Sequence, residues 1–198
     1  MDVNTLYQRA VELFADRVSA VREEQWEDPT PCTDWTVRDL ANHVTNENLW
    51  TVPLIKGGTM EEVGDRFDGD VLGDDPIGSA LSAARAAVTS MAAQLPQGGT
   101  VQLSFGETPK EEYAMQLTAD NLIHGWDMAA ATGGDTQLEP DLVDAVAHWF
   151  DEREELYRGG GAIAERLELT GDAQHDLLAR FGRDAEWTPP KWDIARTP

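Results

Sequence analysis

The chain has 198 residues, and its 15 Lys plus Arg stand against 37 Asp plus Glu, for a formal charge of −22 at pH 7. A field of that sign repels phosphate backbones and anionic lipid surfaces, which argues against nucleic-acid and membrane partners. With 41% hydrophobic and 8% aromatic residues, the chain is too apolar for a charged disordered segment and long enough to bury one ordinary core.

At its start, Met1-Asp2-Val3-Asn4 lacks the basic opening and apolar run of a signal peptide. No window approaches the roughly 18 apolar residues of a membrane span, so the sequence reads as a soluble cytoplasmic protein. From Leu6 to Val21, apolar Tyr7, Val11, Phe14, Val18 and Val21 recur at steps of four and three and predict a first amphipathic helix. Cys32 is the single cysteine. It excludes an intramolecular disulfide and a cysteine-rich zinc cluster, and with no histidine near it in sequence it reads as a small packing residue. A second helix is predicted from Thr36, whose hydroxyl precedes Asp39 by three residues in a variant capping box, to about Ile55.

Residues 56–76 hold five glycines and seven acids without periodicity and predict a long solvated loop. Its aspartates, Asp65, Asp68, Asp70, Asp74 and Asp75, do not match a calcium-loop spacing. Asp75-Pro76 opens a third helix with Ile77, Leu81, Ala84, Val88, Met91 and Leu95 on its apolar face, stopped by Pro96 and Gly98. Val101–Phe105 alternates as a short lone extended segment. Thr108-Pro109 then predicts the cap and first-turn proline of a fourth helix ending near Gly133-Gly134. A fifth runs from Pro140 to Gly159. A short one, Asp172 to Phe181, is capped by Gly182 in a tail whose Trp187 and Trp192 are expected to pack back across the helices.

The chemistry concentrates on the second and fourth helices. His43 and Glu47 fall inside the arc formed by Val37, Leu40, Val44, Trp50 and Leu54. Turning them inward costs several kcal/mol each unless polar or cationic partners meet them. The fourth helix offers Asp120, His124 and Asp127 at the centre of the arc of Tyr113, Leu117, Ile123 and Ala131. Asp120 and His124, four residues apart, emerge one above the other. With His43 they make two imidazoles and a carboxylate, a set that suits a divalent transition metal with coordination positions open. The same residues also suit a metal-free, hydrogen-bonded histidine–carboxylate cluster that fixes helix register. Asp127 reads as an anchor for a neighbouring group. Trp126 reads as core, and His148 and His175 as solvated or isolated.

Trp26, the run Thr30-Pro31-Cys32-Thr33-Asp34-Trp35-Thr36-Val37-Arg38-Asp39-Leu40-Ala41-Asn42-His43-Val44, and His124-Gly125-Trp126-Asp127-Met128-Ala129 with Ala131-Thr132-Gly133 together resemble the metal-binding domain of mycothiol-dependent maleylpyruvate isomerase. That family belongs to the DinB-like superfamily. The likeness spans about residues 5–157, and Leu177-Leu178-Ala179-Arg180-Phe181-Gly182-Arg183 resembles an uncharacterised actinobacterial subfamily. The resemblance implies an all-α, DinB-like four-helix bundle over residues 1–157 and a short C-terminal extension, 158–198, packing on it. It places the family's metal ligands on His43, Asp120 and His124. Asp120 stands where the characterised isomerase has a glutamate, which draws the ion about one methylene nearer the fourth helix.

By the same resemblance the cofactors are a divalent transition metal, zinc or nickel foremost, and mycothiol or a similar low-molecular-weight thiol as co-substrate. The implied chemistry is thiol transfer to, or isomerisation of, a small electrophilic substrate, by a monomer or homodimer. Glu47, one turn beyond His43, is the candidate catalytic base. Two other functions fit the same residues: a non-catalytic bundle binding a small molecule or partner, and a metal-dependent hydrolase.

Overall fold

The computed structural model describes residues 1–160 and 163–190. Helix α1 (Val3–Ser19) opens where Asp2 Oδ1 accepts the Thr5 N–H at 3.0 Å, and it buries Leu6, Tyr7, Ala10, Val11, Phe14 and Val18. Helix α2 (Val37–Ile55) opens on the expected capping box: the Asp39 N–H donates to Thr36 Oγ1 at 3.1 Å while the Thr36 N–H donates to Asp39 Oδ2 at 2.9 Å.

The 56–76 segment departs from a plain solvated loop. It contains a four-residue helix α3 (Met60–Val63) with its own Thr59–Glu62 capping box, and its second half is fastened to α2. Asn42 donates to the Gly69 carbonyl at 3.0 Å and accepts the Val71 N–H at 2.8 Å. Arg38 donates to Asp70 at 2.7 Å, and Leu72 is buried at 1% exposure. A run of acids and glycines carries no periodicity to announce this, because its partners are polar groups on a distant helix face.

Helix α4 (Pro76–Gln94) starts where Asp75 caps the Gly78 N–H. Its buried stripe is Ala80, Ala83, Ala84, Ala87 and Met91, whereas the predicted Ile77, Leu81 and Val88 are only half-buried. Small side chains line this face because α4 packs closely on both α1 and α2. The expected lone strand has a partner: β1 (Thr100–Leu103) pairs antiparallel with β2 (Gly106–Pro109), Val101 opposite Thr108. Thr108 is therefore a strand residue, and Pro109 itself occupies the cap position of α5 (Lys110–Thr132), with no side-chain cap.

Helix α5 is buried around most of its circumference, as expected of a helix with little amphipathicity. It touches α1, α2, both strands and α6 (Pro140–Phe150). At Gly125 it packs tightly on α1: a Cβ there would lie 2.3 Å from Leu13 Cδ2. Helices α1, α4, α2 and α5 thus contact one another in a ring. The fifth predicted helix divides at Asp151–Arg153 into α6 and a short α7 (Glu154–Gly159). Helix α8 (Ala173–Arg180) packs on α6, and the Phe181 and Phe150 rings stack at 4.3 Å. Leu177, Leu178 and Phe181 join the core cluster of Trp126, Leu142 and Val146, against which Trp187 is half-buried. Trp192 lies outside the described residues.

Candidate metal centre

Facing turns of α2 and α5 bring His43, Asp120 and His124 to one point. His43 Nε2 lies 3.5 Å and His124 Nε2 3.4 Å from the same oxygen, Asp120 Oδ1. One ligand atom from each residue falls within 4.8 Å of the other two. Ligand atoms around an ion with bonds of about 2.1 Å sit roughly 3.0–3.4 Å apart. The two nitrogen–oxygen separations of 3.5 and 3.4 Å are already close to that spacing. The second carboxylate oxygen, Asp120 Oδ2, is buried and without a hydrogen-bond partner among the described residues. A buried carboxylate oxygen left unpaired is costly, and a cation would relieve it.

The electrostatics follow from this arrangement. Burial acts to push the Asp120 carboxyl up, but the charge of and hydrogen bond to His124, with those of His43, outweigh it and hold the group far below the usual carboxylate range. Burial disfavours the charged form of His124, yet Asp120 and the hydrogen bonds to Asp127 and Cys32 keep the imidazole well above its ordinary value. Glu47 is pushed up, first by burial and then by the Asp120 charge, against the opposing pull of His43 and His124. These surroundings therefore favour its protonated form more than water does.

The far side of His124 is equally constrained. Its Nδ1 is 3.0 Å from Asp127 Oδ2, and Asp127 is fully buried. The expected anchoring role of Asp127 is thus directed at a histidine of the site. Burial would raise the Asp127 carboxyl, but the bonds and charges of His124 and Arg183 lower it. Cys32 is more than the packing residue its local sequence suggests. The Cys32 thiol donates to Asp127 Oδ2 at 3.1 Å, lies 3.7 Å from His124 Nδ1 and accepts from Arg183 Nη2 at 3.1 Å. Cys32, His124 and Asp127 also bring one ligand atom each within 4.8 Å of the others, but the Arg183 guanidinium already supplies the cation on that side.

Trp35 closes a third side. It follows Asp34, whose φ of 67° places it in the left-handed region that aspartate tolerates better than most residues. That turn lays the indole over both imidazoles, with ring centroids 5.0 Å from His43 and 5.9 Å from His124. The cluster opens on a cavity of about 730 Å³ whose walls include Glu47, Trp50, Tyr113, Phe105 and Tyr157. Trp126 is core, at 1% exposure, and His148 is exposed on α6.

Sequence spacing missed Cys32, Trp35 and Arg183. The i, i+3 placement of His124 and Asp127 on one helix does signal their pairing. Nothing local links Arg183 to Asp127, 56 positions away.

Among known proteins, the family model for the mycothiol maleylpyruvate isomerase N-terminal domain matches residues 7–129. Two uncharacterised proteins of Mycobacterium tuberculosis, one from strain CDC 1551 and one from strain H37Rv, are each 35% identical over 148 residues. That stretch is 72% of this chain and 74% of each relative. No solved structure matches the chain significantly. No helix among the described residues is long and apolar enough to cross a membrane.

Proposed function

The chain belongs to the mycothiol maleylpyruvate isomerase N-terminal domain family, and from that membership we propose that it is a DinB-like four-helix bundle, α1, α2, α4 and α5, holding a divalent transition metal on His43, Asp120 and His124. On this reading residues 1–157 are the bundle domain and 158–198 a C-terminal extension, whose described part, 158–160 and 163–190, includes α8 packed on α6. The observation that carries the reading is the convergence of two Nε2 atoms on one oxygen of Asp120 while the other oxygen is buried without a partner. Two nitrogens and an oxygen suit zinc or nickel and leave positions open.

When bound, the ion would supply Lewis acidity that favours the thiolate form of a low-molecular-weight thiol such as mycothiol. The remaining work falls to the chain. Glu47, held toward its protonated form by burial and by Asp120, exchanges a proton with the reacting substrate. Trp35 and Trp50 wall the cavity beside the charged cluster, and the less polar such walls are, the stronger the charge interactions within it. The reaction class is transfer of the thiol to, or thiol-assisted isomerisation of, a small electrophile, carried out in the cytoplasm by a monomer or homodimer.

Elemental analysis of protein purified without added metal tests the reading. About one divalent ion per chain is expected, lost in His124→Ala. A wild type that holds none after reconstitution overturns it. Turnover that persists without added thiol would instead mark a hydrolase.

A further inference from the structure

Arg183 lies beyond α8, in the part of the chain farthest in sequence from α2, yet it reaches the back of the site. Its Nε is 3.2 Å from Asp127 Oδ1, and its Nη2 is 3.0 Å from Asp127 Oδ2 and 3.1 Å from Cys32 Sγ. The third guanidinium nitrogen, Nη1, donates to the Phe181 carbonyl at 3.0 Å, which ties the fork to the segment that carries it. Such a planar, bidentate grip fixes the carboxylate plane as a single point charge cannot. The Asp127 oxygen it steadies is the one that faces His124 Nδ1 at 3.0 Å. Phe181, two residues earlier, is stacked on Phe150, and Gly182 passes too close to Ala164 for any side chain, so the approach of Arg183 is rigid.

We propose that Arg183 is a positioning residue for the metal centre: through Asp127 it keeps the Nδ1–H of His124 donated away from the site, which leaves Nε2 as the nitrogen turned toward the ion. This rests on the metal reading above. It assigns to the C-terminal segment a part in a site whose ligands all lie on α2 and α5. Cys32 completes the arrangement, since its thiol shares Asp127 Oδ2 and accepts the second branch of the same guanidinium.

Through-space electrostatics and positioning make opposite predictions. Removing a cation near a divalent ion lowers repulsion and would tighten metal binding. Removing the group that fixes the Asp127–His124 bond loosens the ligand and weakens binding, as losses behind a ligating histidine do by about 10–100-fold. The experiment compares wild type, Arg183→Gln, Arg183→Lys and Asp127→Asn by competition for Zn²⁺ against a chromogenic chelator. The ¹⁵N shifts of the His124 ring are recorded on the metal-free proteins, and thermal unfolding serves as a fold control.

The expected result is zinc affinity lower by about tenfold in Arg183→Gln and by at least as much in Asp127→Asn. Arg183→Lys recovers only part of the loss, and His124 Nδ1 loses its protonated, hydrogen-bonded signature in the weakened variants. Unchanged or tighter zinc binding in a folded Arg183→Gln overturns the proposal. Should the wild type bind no zinc, the metal reading fails by itself. The ¹⁵N shifts still decide, because identical His124 signatures in wild type and Arg183→Gln would sink the positioning role independently.

Discussion

Trp35 lies nearly parallel over the His124 imidazole, with ring centroids 5.9 Å apart and planes inclined by 29°. An aromatic pair of this kind contributes about 0.5–1.5 kcal/mol beyond the area it buries. The indole therefore restrains a ring that, on the proposed reading, also faces the ion. Trp35→Ala is expected to weaken zinc binding several-fold while leaving the unfolding midpoint close to that of the wild type, because Trp35 is only half-buried. Trp126→Ala should do the reverse. Trp126 is 1% exposed in the core cluster, and truncating it should cost about 3–5 kcal/mol. Chelator competition and chemical denaturation on the two variants separate the roles; an equal loss of stability in both would remove the distinction.

Metal binding should be coupled to proton release. In the absence of an ion, His124 is held protonated well above its ordinary value of 6.5 by Asp120, against the opposing effect of burial. A ligating imidazole has to surrender the proton on that nitrogen. Apparent zinc affinity should therefore rise by about tenfold per pH unit for each proton released, up to the raised value of His124, and flatten above it. The metal-free protein should show the opposite trend. A raised histidine contributes stability that is fully present below its unfolded value of about 6.5 and is lost as pH rises through the folded value. Isothermal titration in buffers of different ionisation enthalpy counts the protons. A count of zero between pH 6 and 7 would contradict the pairing of His124 with Asp120.

Glu47 adds a stability term of the same sign. Its carboxyl is pushed up from 4.5 by burial and then by the Asp120 charge. Folding thus takes up a proton at Glu47 in the pH range above 4.5, and this contribution to stability falls as pH rises through that range. Glu47→Gln removes the cost of either protonating or ionising this half-buried carboxyl, so the variant should be more stable than the wild type at neutral pH. Thiol-dependent turnover, in contrast, should fall by about 10²–10⁴-fold if Glu47 moves the proton, with the metal content unchanged. Denaturant midpoints and metal analysis on one preparation check both halves. Loss of the ion in Glu47→Gln would show that the carboxylate is a ligand instead.

Much of this site was legible in periodicity. The inward placement of His43 on α2, and of Asp120 and His124 on α5, follows from 100° per residue, and helix starts at Thr36 and Asp75 followed from their side chains. Contacts that depend on long chain closure left no local trace. Asn42 holding Gly69 and Val71, Arg183 gripping Asp127, and Cys32 meeting His124 across 92 positions arise from packing among elements that sequence patterns order only coarsely. The buried face of α4 is legible only in part: Ala84 and Met91 are buried as its spacing predicts, and the other alanines are not announced. Hydropathy points to the larger Ile77, Leu81 and Val88, whereas close approach to two neighbouring helices selects the smallest side chains. Cys32 reads as a packing residue from its sequence neighbours alone, because proximity in sequence is a poor guide to proximity in a helical fold.

Gly182 offers the last test, because it sets where Arg183 begins. Its φ is +76°, in the left-handed region, and a Cβ there would lie 2.6 Å from Ala164 Cβ and 3.0 Å from the Glu165 carbonyl oxygen. Neither obstacle is the far end of a flexible side chain, so the backbone has to move. Gly182→Ala combines left-handed strain with overpacking, each of which costs on the order of 1–3 kcal/mol. The displacement should pass directly to the guanidinium, whose bonds to Asp127 of 3.0–3.3 Å leave little tolerance. Two consequences are expected: a lower denaturation midpoint, and weaker zinc binding that adding Arg183→Gln does not worsen. That non-additivity is what shared action on Asp127 requires. Fully additive losses in the double variant would mean that Gly182 and Arg183 act on the site separately.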